Sequence, residues 1–80
     1  MENIEARVKM SLAEHFGQSI DSIKNETSLA DLDADELDEI EIVMSLEDEF
    51  GICIDDEEMG LLKTVQQYID IVTAKTAVTA

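Results

Sequence analysis

One acidic stretch, residues 34–50, constrains the fold more than any other part of the chain. Its apolar residues recur at helical spacing, it contains neither glycine nor proline, and Gly51 follows it directly. Asp35 is a favourable N-cap, and the acidic residues after it suit the positive end of a helix dipole. The sequence therefore predicts a helix of about four turns that starts after Asp35 and ends at Gly51.

This predicted helix has an acidic stripe and a wide apolar arc. At about 100° per residue, the narrow polar stripe contains Asp38, Glu41, Ser45 and Asp48. The apolar residues spread over a wider arc than a single core contact needs. We expect Leu37, Ile40 and Met44 to stay partly exposed, and an apolar patch rimmed by charge is typical of a docking surface. The pattern leaves open a second interpretation, in which the helix is buried on several sides of a small bundle.

An amphipathic helix is predicted before this stretch, over residues 2–16. Its apolar stripe consists of Ile4, Val8, Leu12 and Phe16. Gly17 is a typical C-cap, and His15 near the helix end is expected to cap carbonyls or to face water. A long connection over residues 18–34 follows, and a loop of this length is expected to pack down through its own apolar side chains. Those side chains are Ile20, Ile23, Leu29 and Leu32.

Two further helices are predicted after the acidic stretch. The first is short, covers residues 55–62 and begins at Asp55, whose acidic neighbours suit a helix N-terminus. The second is capped by Thr64. Its apolar positions are Val65, Tyr68, Ile69 and Val72. Residues 75–80 have no strong pattern and are predicted to fray, within a single domain that spans residues 1–80.

Composition excludes several classes of function. The net charge is −15 and the sequence pI is about 4.1. The chain has five lysines and arginines against twenty acidic residues. This balance argues against nucleic-acid binding and against insertion into anionic membranes, so a protein partner should present a basic surface. Solubility alone would also explain the charge. One cysteine, Cys53, and no apolar run of spanning length favour a cytoplasmic protein, which we expect to be a monomer.

No catalytic or specific metal site is predicted from the residues. The spacing of Asp31, Asp33 and Asp35 resembles the start of a calcium loop, but Glu36 and Ile42 stand where such a loop requires glycine and glutamate. Weak calcium or magnesium binding remains possible through charge density alone. With one histidine, neither a histidine-based metal site nor a catalytic triad is expected, and the exposed acids lack a pocket for acid–base chemistry.

The chain resembles the acyl carrier proteins of bacterial fatty-acid synthesis from about residue 4 to residue 72. The most specific segment is Leu32-x-Ala34-Asp35-x-Leu37-Asp38-x-x-Glu41-x-Val43-Met44-x-Leu46-Glu47-x-Glu49-Phe50. The resemblance implies an all-α, four-helix bundle with three longer helices, one short helix and a long first loop. It also implies that the acidic second helix docks on basic patches of enzymes that synthesise fatty acids, other lipids or polyketides.

The resemblance also implies a cofactor that the sequence cannot hold in the usual way. Carrier proteins of this type bear 4′-phosphopantetheine on the serine of an Asp-Ser-Leu triplet, and this chain has Asp35-Glu36-Leu37. A carboxylate has no hydroxyl for the phosphodiester, and neither Ser28 nor Ser45 has that context. The sequence therefore favours a scaffold or regulatory domain without the cofactor. The expected partner-binding residues, besides position 36, are Asp35, Leu37, Asp38, Glu41, Met44, Glu47 and Asp48.

Two alternatives remain open at this point. The chain is a true acyl carrier protein in which serine was deliberately replaced by Glu36, or it is an acidic cation-binding or charge-mimic protein unrelated to lipid metabolism. The apolar side chains expected to line a carrier protein's acyl cavity are present, so noncovalent binding of an acyl chain stays conceivable. They are Phe16, Ile40, Ile42, Met44, Phe50 and Leu62.

Overall fold

The computed structural model describes residues 3–79, except for the side chains of residues 78 and 79. The four α-helices of this part of the chain are α1 (Ile4–Phe16), α2 (Glu36–Phe50), α3 (Asp56–Leu61) and α4 (Val65–Thr79). Two single 3₁₀ turns, Ile20–Ser22 and Ala30–Leu32, lie in the long connection between α1 and α2. The prediction of an all-α bundle with three longer helices and one short helix is confirmed. Residues 2 and 80, which the sequence assigns to the first helix and the tail, lie outside the described residues.

Local side-chain chemistry defines the helix ends. Asn3 caps α1, since its Oδ1 accepts a hydrogen bond from the backbone N–H of Ala6 at 2.7 Å. Gly17 and Gly51 terminate α1 and α2 with φ angles of 64° and 65°, in the left-handed region where a side chain would be strained. Asp55 caps α3 as predicted, because its carboxylate accepts from the N–H of Glu58 at 2.8 Å.

The long connection packs against the bundle through some of the predicted side chains. Ile23 and Leu29 are buried, and Leu32 packs partly against the core. Ile20 was expected to anchor the connection but is exposed. It begins the 3₁₀ turn that Ser19 caps, and Ile23, directly after this turn, takes the interior position instead.

Backbone hydrogen bonds hold the connection to the start of α4. The N–H of Leu29 donates to the carbonyl of Lys63 at 3.0 Å, and the N–H of Val65 donates to the carbonyl of Thr27 at 2.9 Å. These bonds satisfy backbone groups of the connection that its own internal turns leave free. The long connection is thereby fixed beside α4, and α2 starts from a defined position.

One apolar core is shared by all four helices and their connections. Its buried members are Val8, Leu12, Ala13, Ile23, Leu29, Ile42, Val43, Leu46, Ile52, Ile54, Leu62, Val65, Tyr68, Ile69 and Val72. Burial of these side chains is the main stabilising contribution expected for so short a chain. The largest fully buried side chain belongs to Tyr68.

The end of α4 departs from the sequence expectation. Residues 75–79 were predicted to fray, and they instead continue the helix to Thr79. Ala77 favours helix. The hydroxyl of Thr76 donates to the carbonyl of Val72 at 2.9 Å, and Lys75 forms an ion pair with Glu58 of α3 at 2.8 Å. The sequence pattern missed these contacts because the apolar periodicity ends at Val72.

Tyr68 provides a test of core polarity. Its hydroxyl is buried and has no hydrogen-bond partner among residues 3–79. Burial, with a smaller contribution from the Glu39 carboxylate, raises the pKa of Tyr68 to about 12. The folded protein holds the hydroxyl proton of Tyr68 more tightly than the unfolded chain does. The free energy of unfolding should therefore fall as pH rises from about 10 toward 12.

The substitution Tyr68→Phe should therefore raise the free energy of unfolding at pH 7 by about 1 kcal/mol, since it removes a buried hydroxyl that lacks a partner. The variant should also lose less stability than the wild type between pH 10 and pH 12. Urea unfolding at these pH values measures both effects. Parallel pH profiles for the two proteins would contradict the assignment of the alkaline transition to Tyr68.

Candidate functional site

Two aspartates define the N-terminus of α2. The Asp35 carboxylate accepts a hydrogen bond from the N–H of Asp38 at 2.9 Å, and the Asp38 carboxylate accepts from the N–H of Asp35 at 3.1 Å. This reciprocal capping box satisfies two backbone donors that the helix itself leaves free. Glu36 is consequently the first residue of α2.

Glu36 lies where the helix favours negative charge. Its side chain is exposed, and its carboxylate stands in the first turn, near the positive end of the helix dipole. A shallow depression of about 410 Å³ lies beside it and is lined by Asp35, Glu36, Leu37 and Ile40. Position 36 is thus accessible and borders a small, mainly apolar hollow.

The outer face of α2 (Leu37, Ile40, Glu41, Met44 and Asp48) combines exposed apolar and acidic side chains. Leu37 is 63% exposed, Met44 is 57% exposed and Ile40 is 36% exposed. The opposite face is buried in the core through Ile42, Val43 and Leu46. The partial exposure predicted for the three apolar residues is confirmed, and a helix buried on several sides is excluded.

Asp38, which is predicted to bind partners, also makes contacts within the protein. Its Oδ1 lies 3.0 Å from Nε2 of His15, which spans the gap from the end of α1. This hydrogen bond, followed by the bond from the N–H of Asp35, holds the pKa of the Asp38 carboxyl below its ordinary value. Asp38 therefore joins α1 to the start of α2.

Glu47 was also predicted to bind partners, and it too is engaged within the fold. Its Oε2 accepts a hydrogen bond from the backbone N–H of Ile54 at 2.8 Å. That bond fixes the segment after Gly51, so Glu47 has a structural contact that Glu41 and Asp48 lack. Glu41 and Asp48, in contrast, are exposed and have no hydrogen-bond or ion-pair partner within residues 3–79.

Sequence reasoning missed the role of His15. It was expected to cap carbonyls of α1 or to face water, and its imidazole instead contacts a carboxylate 23 residues away. Its ring also packs edge-on against Phe16, with centroids 5.0 Å apart. No local pattern signals such a pair, because it depends on how α1 and α2 pack. The carboxylate of Glu41 is close enough to join His15 and Asp38 around one metal ion.

Neither serine that was considered as a substitute for position 36 occupies its place. The Ser28 hydroxyl accepts a hydrogen bond from the N–H of Asp31 at 3.1 Å, inside the long connection. Ser45 lies on α2 nine residues after Glu36, about 13 Å along the helix at 1.5 Å per residue. It borders a groove toward α1, together with Ser11 and Glu14. The residues present at the start of α2 thus do not fit an ester-linked phosphopantetheine.

The bundle and its exposed acidic α2 define a carrier-type helical domain. The family described as phosphopantetheine attachment site matches residues 6–72. The crystal structure of an acyl carrier protein from Thermotoga maritima is similar to this chain, with 32% sequence identity and a TM-score of 0.81 over 94% of this chain and 88% of that one. The chain belongs to the phosphopantetheine attachment site family and has the acyl carrier protein fold.

Family membership also settles the broad class of the protein. Carrier domains of this family are not enzymes. Within residues 3–79, none of the helices combines the length and the apolar character that a membrane span requires.

The capping box predicts a measurable loss of stability. The substitution Asp35→Ala should lower the free energy of unfolding by about 1 kcal/mol, because the N–H of Asp38 loses its acceptor. Asp48→Ala is the matched control, since it removes one negative charge from α2 at a position without a side-chain partner. Urea unfolding of both variants isolates the cap from the change in charge. Equal stability of the two variants would contradict the role of Asp35.

Proposed function

We propose that this protein is an acyl-carrier-like docking domain that, with glutamate at position 36, does not carry 4′-phosphopantetheine. It binds basic surfaces of enzymes that synthesise fatty acids, other lipids or polyketides, and it acts there as a scaffold or regulator. The cytoplasm is its proposed location and a monomer its proposed state. The outer face of α2, with exposed Leu37 and Met44 among unpaired acids, is the observation that carries this proposal.

The charge around the outer face favours a basic partner. No lysine or arginine lies between Lys24 and Lys63, so the whole of α2 is free of cations along the sequence. Arg7 reaches α2 from α1, but its guanidinium binds Glu49 at 3.0 Å and stacks on Phe50, away from the outer face. Glu41 and Asp48 are thus available to attract a cationic surface during association.

Glu36 supports a role without a covalent arm. A carrier serine would form a phosphodiester at this position, and a glutamate carboxylate cannot. It does keep a negative charge at the N-terminus of α2, where the phosphate of the arm would otherwise lie. Glu36 therefore keeps a negative charge like that of the phosphate in the modified protein, but it cannot form the bond to the arm.

The first experiment compares the protein with its Glu36→Ser variant. Each is incubated with coenzyme A and a phosphopantetheinyl transferase, and intact mass is measured. We expect the arm to be added only to the variant, because the hydroxyl is the one missing group on an otherwise carrier-like scaffold. Addition to the unsubstituted protein, at Ser45 or elsewhere, would contradict the proposed loss of the carrier role. If neither protein gained the arm, this chain would differ from a functional carrier protein at more positions than residue 36.

The second experiment tests docking directly. The double substitution of Glu41 and Asp48 by lysine should raise the Kd for a purified condensing enzyme of fatty-acid synthesis by about tenfold or more, because attraction becomes repulsion. Surface plasmon resonance measures Kd at low and moderate salt, and the difference between the proteins should shrink as salt increases. Glu47 is left unchanged because its contact with Ile54 stabilises the fold.

The matched control reverses Asp21 and Glu26 instead. Both are exposed in the long connection, so this pair changes the net charge equally at a distance from α2. It should leave Kd within about twofold, as a general loss of negative charge has only a screened effect. Equal weakening by both pairs would indicate nonspecific attraction and would contradict a docking face on α2.

A further inference from the structure

One imidazole and two carboxylates meet where the end of α1 lies against the start of α2. They are the imidazole of His15, the carboxylate of Asp38 and the carboxylate of Glu41, and one ligand atom of each lies within 4.8 Å of the others. We infer that His15, Asp38 and Glu41 form a binding site for a first-row divalent transition ion of the Zn²⁺ type. The site shares Glu41 with the proposed docking face, but the inference requires neither docking nor any particular residue at position 36.

The closest pair already has the spacing of two ligands on one ion. Nε2 of His15 and Oδ1 of Asp38 are 3.0 Å apart. Two ligands at about 2.1 Å from a metal are roughly 3.0 Å apart at a right angle and roughly 3.4 Å apart at a tetrahedral angle. An ion can therefore replace the hydrogen that these two atoms share, once the imidazole carries its proton on Nδ1. The ion then lies to one side of the line between the two atoms, so both side chains turn to point their lone pairs at it.

The third ligand is free to complete the set. Glu41 follows Asp38 by three residues, so the two carboxylates lie on neighbouring positions of the same helical surface. Glu41 is exposed, and no other side chain among residues 3–79 holds its carboxylate. A change of rotamer closes the remaining separation. The resulting set of one nitrogen and two oxygens leaves at least one position for water, as in open zinc sites.

Asp38 is held in place by contacts outside the proposed coordination sphere. Its second oxygen, Oδ2, accepts the backbone N–H of Asp35 at 3.1 Å. A carboxylate ligand oriented by a second hydrogen bond binds a metal with less loss of side-chain freedom. The capping box therefore orients Oδ1 toward His15, and the same aspartate serves the helix end and the proposed metal site.

The imidazole decides which ions are preferred. Calcium and magnesium take oxygen ligands almost exclusively, and imidazole suits zinc and its first-row neighbours. The many exposed carboxylates elsewhere on the chain can attract calcium loosely without any nitrogen ligand. Selectivity for Zn²⁺ that depends on His15 thus separates the proposed site from general attraction to an acidic surface.

The test is a titration of the untagged full chain with ZnCl₂, followed by NMR of the imidazole. His15 is the single histidine, so its ring signals are unambiguous. We expect saturable one-to-one binding that shifts the ring nitrogen signals through ligation at Nε2, and no comparable shift with CaCl₂. Zinc binding at saturation without any change at the imidazole would overturn the inference, and so would the absence of zinc binding at millimolar concentration.

Variants then identify the ligands. His15→Gln and Glu41→Gln should each weaken zinc binding by about tenfold or more in calorimetry, since each removes one of three ligands. Glu14→Gln is the control, because it removes a neighbouring exposed charge on α1 that is not in the set. Equal zinc affinity in His15→Gln and the wild type would overturn the site. The NMR measurement on the unsubstituted chain stands even if a variant fails to fold.

Discussion

The capping box of Asp35 and Asp38 is the interaction on which the arrangement of α2 depends. It stops the long connection and starts the helix at a defined residue, so that Glu36 is first in the helix and nearest the positive end of its dipole. The buried residues Ile42 and Val43 then fix the rotation of α2 about its axis. Because the start and the rotation of α2 are both fixed, the outer face and its acids are positioned by the helix alone and need no contacts of their own.

The acids of this chain divide into two groups with different physical roles. Asp38, Glu47 and Glu58 bind groups within the protein and lie between neighbouring elements. The hydrogen bond from Lys75 holds the pKa of the Glu58 carboxyl below its ordinary value. Glu41 and Asp48 have no such partners, and α2 supplies no cation to screen them. Two of the five basic residues, Arg7 and Lys75, pair with acids of a neighbouring helix, and Lys9 pairs with Glu5 within α1. None of these pairs involves Glu41 or Asp48, so the negative field stays concentrated on the outer face of α2.

Helix positions could be predicted from the sequence because their determinants are local. Caps such as Asp35 and terminal glycines such as Gly51 act within a few residues, and apolar periodicity reports one buried face. The contacts of His15 with Asp38 and of Lys75 with Glu58 could not be predicted, since they depend on how separate helices pack. The same limit explains why the contact of Asp38 with His15 was not predicted: helical spacing gives the direction of a side chain but not what lies opposite it.

The outer face of α2 argues against the interpretation that the acidic residues of this chain serve solubility alone. Solubility requires dispersed charge and is not helped by exposed apolar side chains. Leu37 and Met44 nevertheless lie on one face of α2, about two turns apart, and both are mostly exposed. Exposing both side chains forgoes the stabilisation that their burial would add to a thin core, on the order of 2 kcal/mol each. A binding surface gives that arrangement a use, because the same side chains become buried when a partner covers them. At position 36, glutamate keeps a negative charge at the helix N-terminus but lacks the hydroxyl that would bear an arm.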